Sequence, residues 1–237
     1  MDKFDHNQEK DFLERDKIVD VYHCISQKTE EQVKVITRKK TVNLPFWANQ
    51  NIFFDIKDQE NLRDKYKISK NDFLIGSFQR DTEGKDLVSP KLSKGPDQFV
   101  QIVKKIQKKN DNIAVLLTGR RRQYVINELK EAGIKYYYFE MVSFDELNEM
   151  YNMLNLYIVS SRVEGGPQSI LECGLSKTPI ISTDVGIASQ VLSKESIYNF
   201  NRYNNPLPNI DTAYKNSKKF IIPDWFDEYK KLFNETL

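Results

Sequence analysis

From about residue 70 the chain alternates short apolar runs with segments of helical period, and this alternation restricts its fold more than any other feature. "FLIGSF" (73–78) reads as a buried strand, and "IAVLLTG" (113–119), "YYYF" (136–139), "LYIVSS" (156–161) and "PIIST" (179–183) as the strands that follow it. Between them Phe99, Ile102, Val103 and Ile106 recur at helical spacing behind Pro96, a residue suited to a first helical turn. Tyr124, Val125, Leu129 and Ala132 mark a second helix that Gly133 stops. Ser143, with Glu146 three residues on, forms a capping box for a third, and a fourth starts near Gln168. The pattern predicts an α/β fold, a parallel sheet with helices on both faces. Ligands of such sheets bind beyond the carboxyl ends of the strands. The loops to inspect are therefore 79–95, 119–121, 140–143, 161–167 and 183–187.

The first 70 residues follow another pattern. "VDVYHCIS", a helical stretch near 27–37 and "KTVNLPFW" read as strand, helix and strand, and the polar "ANQNIFFDIKDQENL" as a connector. That piece is too small to bury a core of its own. At the other end Trp225, Phe226, Tyr229, Leu232 and Phe233 share one helical face. Such a helix packs on its own domain or returns to the first piece; a membrane surface is the weaker third option, with Lys230 and Lys231 its only nearby cations. A net charge of +2 on 36 basic and 34 acidic residues gives no global basic field and argues against a nucleic-acid partner. Cys24 and Cys173 each sit in an apolar run and read as reduced, buried thiols. The polar start resembles neither a signal peptide nor an anchor, and no apolar stretch approaches the ~20 residues of a spanning helix. The expectation is a cytoplasmic protein, at most peripheral to the inner face of the membrane.

Three loops carry the unusual residues. In "SSRVEGGPQSILE" a helix start follows Gly165, Gly166 and Pro167. Unpaired N–H groups there favour an anion, and glycines let a phosphate approach the backbone. Glu164 lies before that helix and Glu172 a turn inside it; carboxylates repel phosphate, so beside one they suit hydroxyl groups of a sugar or ribose. Equally, both are the ordinary first-turn acids that complement a helix dipole. The long loop 79–95, read as structureless, carries Arg80 and Lys94-Gly95, a pair of cations suited to clamping a diphosphate or to plain solvation. "TGRRRQYV" places Arg120 after a strand, with a solvated surface as the commoner fate of such a run. The sequence holds no G-x-G-x-x-G after a strand, no Walker-type loop and no G-x-S-x-G elbow, and His6 and His23 with two distant cysteines make no convincing zinc site.

"EGGPQSILE" (Glu164 to Glu172) resembles the E-x7-E pattern of glycosyltransferase family 4, whose members have the GT-B fold. "PIISTDVG", Arg80 with Lys94-Gly95, and "SFDELNEMYNMLNLYIVSSR" resemble the same family's motifs in the same order, over roughly residues 72 to 190. The resemblance implies the C-terminal, donor-binding half of a retaining glycosyltransferase acting on a nucleotide-diphosphate-sugar, in the context of polysaccharide assembly. It implies that Glu172 takes the ribose hydroxyls and Glu164 the donor sugar. Gly165, Gly166, Pro167 and Ser169 would lie near the sugar and diphosphate, and Met141 and Val142 would flank the base. Arg80 and Lys94 would neutralise the departing phosphate, with Arg120 a further candidate, without metal or cofactor. In domain terms it implies a remnant of the N-terminal acceptor domain at 1–45, an interdomain linker at 46–70, the nucleotide-sugar domain at 71–200 and a helical tail at 201–237. The partners implied are the donor, a glycan or lipid-linked acceptor, and the rest of the N-terminal domain, in cis or on a partner chain. A non-catalytic nucleotide-sugar-binding module and another GT-B-like enzyme, such as a nucleotide-sugar epimerase, are the alternatives.

Overall fold

The computed structural model describes residues 6–201 and 205–236. After α1 (His6–Asp16), the first piece holds β1 (Val21–Cys24), α2 (Gln27–Ile36) and β2 (Lys40–Asn43). The strands are parallel, with Val21 opposite Lys40, and form a two-stranded sheet of their own. The strand, helix and strand expected there are thus present. Ser26 caps α2 by accepting from the Thr29 N–H, yet no residue of that helix is buried.

The connector is less free than its polar composition suggests. Phe53 is buried, and the Phe54 and Ile56 N–H groups donate to the Asn148 and Asn152 side chains at 3.1 and 2.7 Å. A short helix, α3 (Gln59–Lys65), follows. Its Arg63 is buried and donates to the carbonyls of Met153 (2.7 Å) and Asp72 (2.9 Å), tying the connector to the main sheet.

That sheet is built by β3 (Phe73–Ser77), α4 (Pro96–Gln107), β4 (Ile113–Thr118), α5 (Gln123–Glu131), β5 (Lys135–Phe139), α6 (Phe144–Met153), β6 (Leu156–Val159), α7 (Gln168–Leu175), β7 (Ile180–Thr183), α8 (Ala188–Val191) and β8 (Ile197–Tyr198). The strand order is β5-β4-β3-β6-β7-β8, and every neighbouring pair is parallel. Alternate residues along each strand feed two cores, as a period of two requires. Leu74, Leu116, Tyr157 and Ile180 join Met150, Ile170 and Leu171 on one face. Ile75, Val115, Leu117, Ile158 and Ile181 join Phe99, Val103, Val125 and Leu129 on the other. This is the parallel α/β sheet with helices on both faces that the alternation predicts. Pro96 opens α4, Gly133 closes α5 at a φ of 63°, and the Ser143–Glu146 capping box opens α6. The order reverses between β3 and β6, the place where such folds hold ligands.

Two further helices, α9 (Ile210–Ser217) and α10 (Asp224–Thr236), complete the chain. The last helix makes both of the packings open to it: Trp225 lies on the main core beside Phe220, and the helix also returns to the first piece. Trp225 Nε1 donates to the Pro45 carbonyl (2.7 Å), the Tyr229 hydroxyl lies 3.1 Å from the Leu44 carbonyl, and Phe226 and Tyr229 pack edge-on against Trp47. Among the described residues no helix is long and apolar enough to cross a membrane.

The loop 79–95 departs from expectation. Arg122 and Asp81, both almost wholly buried, form an ion pair at 3.2 Å. Arg122 also donates to the Gln79 carbonyl, and the Lys91 N–H to the Asp81 carbonyl at 2.8 Å. A bridge between Thr82 and Pro90 and a 3-10 turn at Leu92–Lys94 complete the structure. The buried pair, together with the backbone bond from Lys91 to Asp81, therefore holds a segment whose polar composition reads as loose. Desolvation pushes the Asp81 carboxyl up to about 6, with Arg122 pulling it back down. Asp81→Ala would strand a buried guanidinium and should cost about 3–5 kcal/mol in urea denaturation at neutral pH. Replacing the pair together, Asp81→Leu with Arg122→Met, should cost less than that single change.

Candidate functional site

Two loops meet where the strand order reverses. Gly95 has a φ of 63°, and a Cβ built on it would stand 1.8 Å from the Ser160 carbonyl oxygen. Only glycine allows this approach. The Arg162 N–H donates to the Ser93 carbonyl at 2.9 Å, so the loop after β3 is stitched to the loop after β6. Between them lies a cleft of about 520 Å3, lined on one side by Phe78, Gln79 and Lys94 and on the other by Glu164, Gly166, Pro167, Ser169 and Glu172. Thr118, Gly119, Glu140, Met141 and Val142 line its far end, beyond β4 and β5.

Lys94 and Glu164, 70 residues apart in sequence, form an ion pair inside this cleft, and the Ser161 hydroxyl lies 3.0 Å from the same Glu164 oxygen. Glu172 sits deeper, on α7. Its Oε2 accepts a hydrogen bond from the Tyr151 hydroxyl at 2.7 Å. Burial raises the Glu172 carboxyl above its ordinary range, and the Tyr151 bond partly offsets the rise. Tyr157 forms the floor beside Tyr151 and takes the Phe78 N–H at 3.2 Å. Around Lys94 the cleft thus offers an ammonium, the carboxylates of Glu164 and Glu172 and the start of an eight-residue helix at Pro167, with Glu140 a third carboxylate at its far end. A cation and helix N–H groups suit phosphate, and carboxylates set at two depths suit hydroxyl donors.

Of the residues singled out from sequence, Lys94, Glu164, Gly166, Pro167, Ser169, Glu172, Met141 and Val142 line one cleft. Gly165, Arg80 and Arg120 do not line it. Gly165 faces the first piece: a Cβ there would stand 2.8 Å from Ile25 Cδ1, and one on Gly166 3.4 Å from the Ile25 carbonyl oxygen. On the side where a side chain would stand, the β1–α2 turn approaches this pair of glycines, while Gly166 also lines the cleft. Arg80 is exposed just past β3. Arg120 has a side chain 72% exposed and faces Glu140 at 3.8 Å, while Arg122 of the same run is the buried partner of Asp81. The arginine cluster is therefore divided between surface and interior. Sequence reasoning missed Gln79, Tyr151, Tyr157 and Ser161. Gln79 had a signal, a polar side chain directly after a buried strand; Tyr151 and Tyr157 read as core residues of a helix and a strand.

A model of the family described as glycosyl transferases group 1 matches residues 58–221. The structure resembles sucrose-phosphate synthase from Thermosynechococcus elongatus with a TM-score of 0.77 at 14% identity, over 98% of this chain and 63% of that one. It resembles HepE of Anabaena, solved with UDP and glucose, at 0.78 and 12%, over 98% of this chain and 68% of that one. TarM of S. aureus, solved with Fondaparinux, alpha-GlcNAc-glycerol and UDP, matches at 0.69 and 13%, over 98% and 48%. At these identities the likeness is one of fold, the Rossmann-like half of a GT-B arrangement. The chain spans less than two thirds of the sucrose-phosphate synthase and about half of TarM. No curated protein matches the chain by sequence.

The Tyr151–Glu172 bond yields a test on stability. Tyr151→Phe removes the donor from a buried carboxylate and should destabilise the chain by about 1–3 kcal/mol at neutral pH. The folded state keeps the Glu172 proton above the ordinary value of 4.5, where the unfolded chain has released it. Its contribution to stability therefore falls as pH rises from 4.5 through the raised folded value. Glu172→Gln should abolish that fall in urea titrations run across the acid range.

Proposed function

Because this chain belongs to the glycosyl transferases group 1 family, we propose that it is the donor-binding half of a retaining glycosyltransferase that takes its sugar from a nucleoside-diphosphate-sugar. The observation that carries this reading is that Lys94, Glu164 and Glu172 share one cleft at the reversal of strand order. Lys94 neutralises the diphosphate as it departs, and the N–H groups at the start of α7 share that charge. Glu172, held by Tyr151, accepts from the ribose hydroxyls, and Glu164 accepts from the donor sugar. Met141 and Val142 flank the base. No step in this scheme asks for a metal ion or a cofactor. UDP is the first nucleotide to try, since the solved complexes of HepE and TarM hold it.

The acceptor, a glycan or a lipid-linked sugar, would be held by the rest of an N-terminal domain. The β1–α2–β2 piece supports this. The helix buries no residue, its Val35 is 75% exposed, and Ile18, ahead of β1, is 83% exposed. Such a surface suits further strands and helices, supplied in cis or by a partner chain. In the second case the chain is a binding module that acts only with its partner.

Calorimetric titration with UDP, GDP, ADP and their sugar conjugates tests the reading. One nucleotide should bind saturably, and Glu172→Ala should weaken it by roughly tenfold, through loss of an acceptor for two hydroxyls. Undiminished affinity in that variant would remove Glu172 from the site. The 237-residue chain by itself should transfer sugar to acceptor poorly, in a product assay by chromatography; efficient turnover would refute the division into halves.

A further inference from the structure

The backbone of Lys94 is pinned. Its carbonyl takes the Gln79 amide at 2.8 Å and the Ser160 hydroxyl at 3.3 Å, and Gly95 packs on Ser160 just beyond it. Its side chain is a flexible stem ending in a point charge. The partner carboxylate is held differently. Ser161 is fully buried, and its hydroxyl reaches Glu164 Oε1 at 3.0 Å, Gln79 Oε1 at 3.2 Å and, more distantly, the Lys94 carbonyl at 3.5 Å. The Lys94 and Glu164 side chains are only 29% and 13% exposed, so their attraction is screened less than that of a surface pair.

Resting on the reading of this cleft as a nucleoside-diphosphate-sugar site, we infer that the donor binds by exchanging the ion pair: the diphosphate takes Lys94 from Glu164, and the carboxylate so released, kept in place by Ser161, accepts from a hydroxyl of the donor sugar. One ammonium cannot fully serve two anions, and a diphosphate carries more charge than a carboxylate. Glu164 opposes a bare nucleoside diphosphate in two ways, by holding Lys94 and by its own charge. A sugar hydroxyl offsets this opposition, because it gives the displaced carboxylate a donor. Glu164 is therefore a specificity residue. It favours the whole donor over the nucleoside diphosphate left after transfer, and so assists release of that product. Ser161 is its positioning residue.

The test is calorimetric titration of the full chain with UDP and UDP-glucose, GDP and GDP-mannose, and ADP and ADP-glucose, on wild type and Glu164→Gln. The glutamine variant should bind the bare diphosphate about two- to fivefold tighter than wild type, and its preference for the sugar conjugate over the diphosphate should shrink. Diphosphate affinity unchanged or weakened in Glu164→Gln overturns the exchange while leaving the donor site standing. A wild-type chain that binds none of these probes overturns the site and the exchange together. Should Glu164→Gln fail to fold by circular dichroism, Ser161→Ala decides. It keeps the ion pair and loosens the carboxylate, so it should weaken the conjugate and leave the diphosphate unchanged; equal loss for both overturns the proposal.

Discussion

The buried pairing of Arg122 with Asp81 governs the shape of the cleft, because it decides where the long loop between β3 and α4 can go. An ion pair this deep surrenders the hydration of both charges, and Coulomb attraction alone seldom restores it. Here the guanidinium also bonds the Gln79 carbonyl, and Asp81 accepts from the Val125 N–H at 3.4 Å while its carbonyl takes Lys91. The desolvation cost is spread over contacts that join three parts of the chain: the end of β3, the start of α5 and the far limb of the loop. Gln79 and Lys94 enter the cleft from the two ends of the pinned segment. A looser loop would leave Lys94 to wander, and with it the charge that any diphosphate needs.

Close backbone approaches carry that order across to the second half of the sheet. Gly95 lies against Ser160, and Gly186, at a φ of 49°, would drive a Cβ to within 2.5 Å of the Gly165 carbonyl oxygen. Three loops, after β3, β6 and β7, are therefore fitted to one another through glycines. The first piece joins this contact: Ile25 lies on Gly165 and Gly166, Lys28 pairs with Asp184 at 2.6 Å, and the Gln27 N–H donates to the Gln190 side chain at 3.0 Å. The last helix, bonded to the Leu44 and Pro45 carbonyls, braces the same piece from behind. Contacts on both sides of β1–α2–β2 fix its place beside the cleft, although its own two strands could bury little.

The sheet was legible because its physics is local and repetitive. A buried parallel strand must be apolar on both faces, so "IAVLLT" and "LYIV" announce themselves, and Ser143 with Glu146 needs only its own backbone to make a cap. The cleft was legible where type and spacing act together, as in Glu164 and Glu172 on either side of a helix start. What escaped notice depends on distant partners. Nothing near Arg122 in sequence separates it from Arg120 or Arg121; only Asp81, 41 positions earlier, makes it an interior residue. Gly165 and Gly166 did signal a close approach, and one partner, Ile25, lies 140 positions earlier, where no local pattern reveals it. Tyr151 reads as core by its helical period, and its ring is buried; its bond to Glu172 is made by the one polar atom that the period does not describe.

The two glutamates differ in how each is held, and that difference gives their spacing a physical purpose. Glu172 stands within α7, where the helix fixes its backbone, and its partner is a neutral hydroxyl on a buried tyrosine. Such a carboxylate keeps its place and its remaining lone pairs whether or not a ligand is present. Glu164 stands in the preceding loop and is held by a lysine, a partner that a stronger anion can remove. A carboxylate in the helix and one in the loop therefore do different work within one cleft. On the proposed reading of the cleft, the first is a fixed acceptor for the ribose that every donor shares, and the second a conditional acceptor for the sugar that distinguishes donor from product. Seven residues between them, beginning with the glycines that seat Ile25, are what it takes to pass from the exchangeable setting to the fixed one.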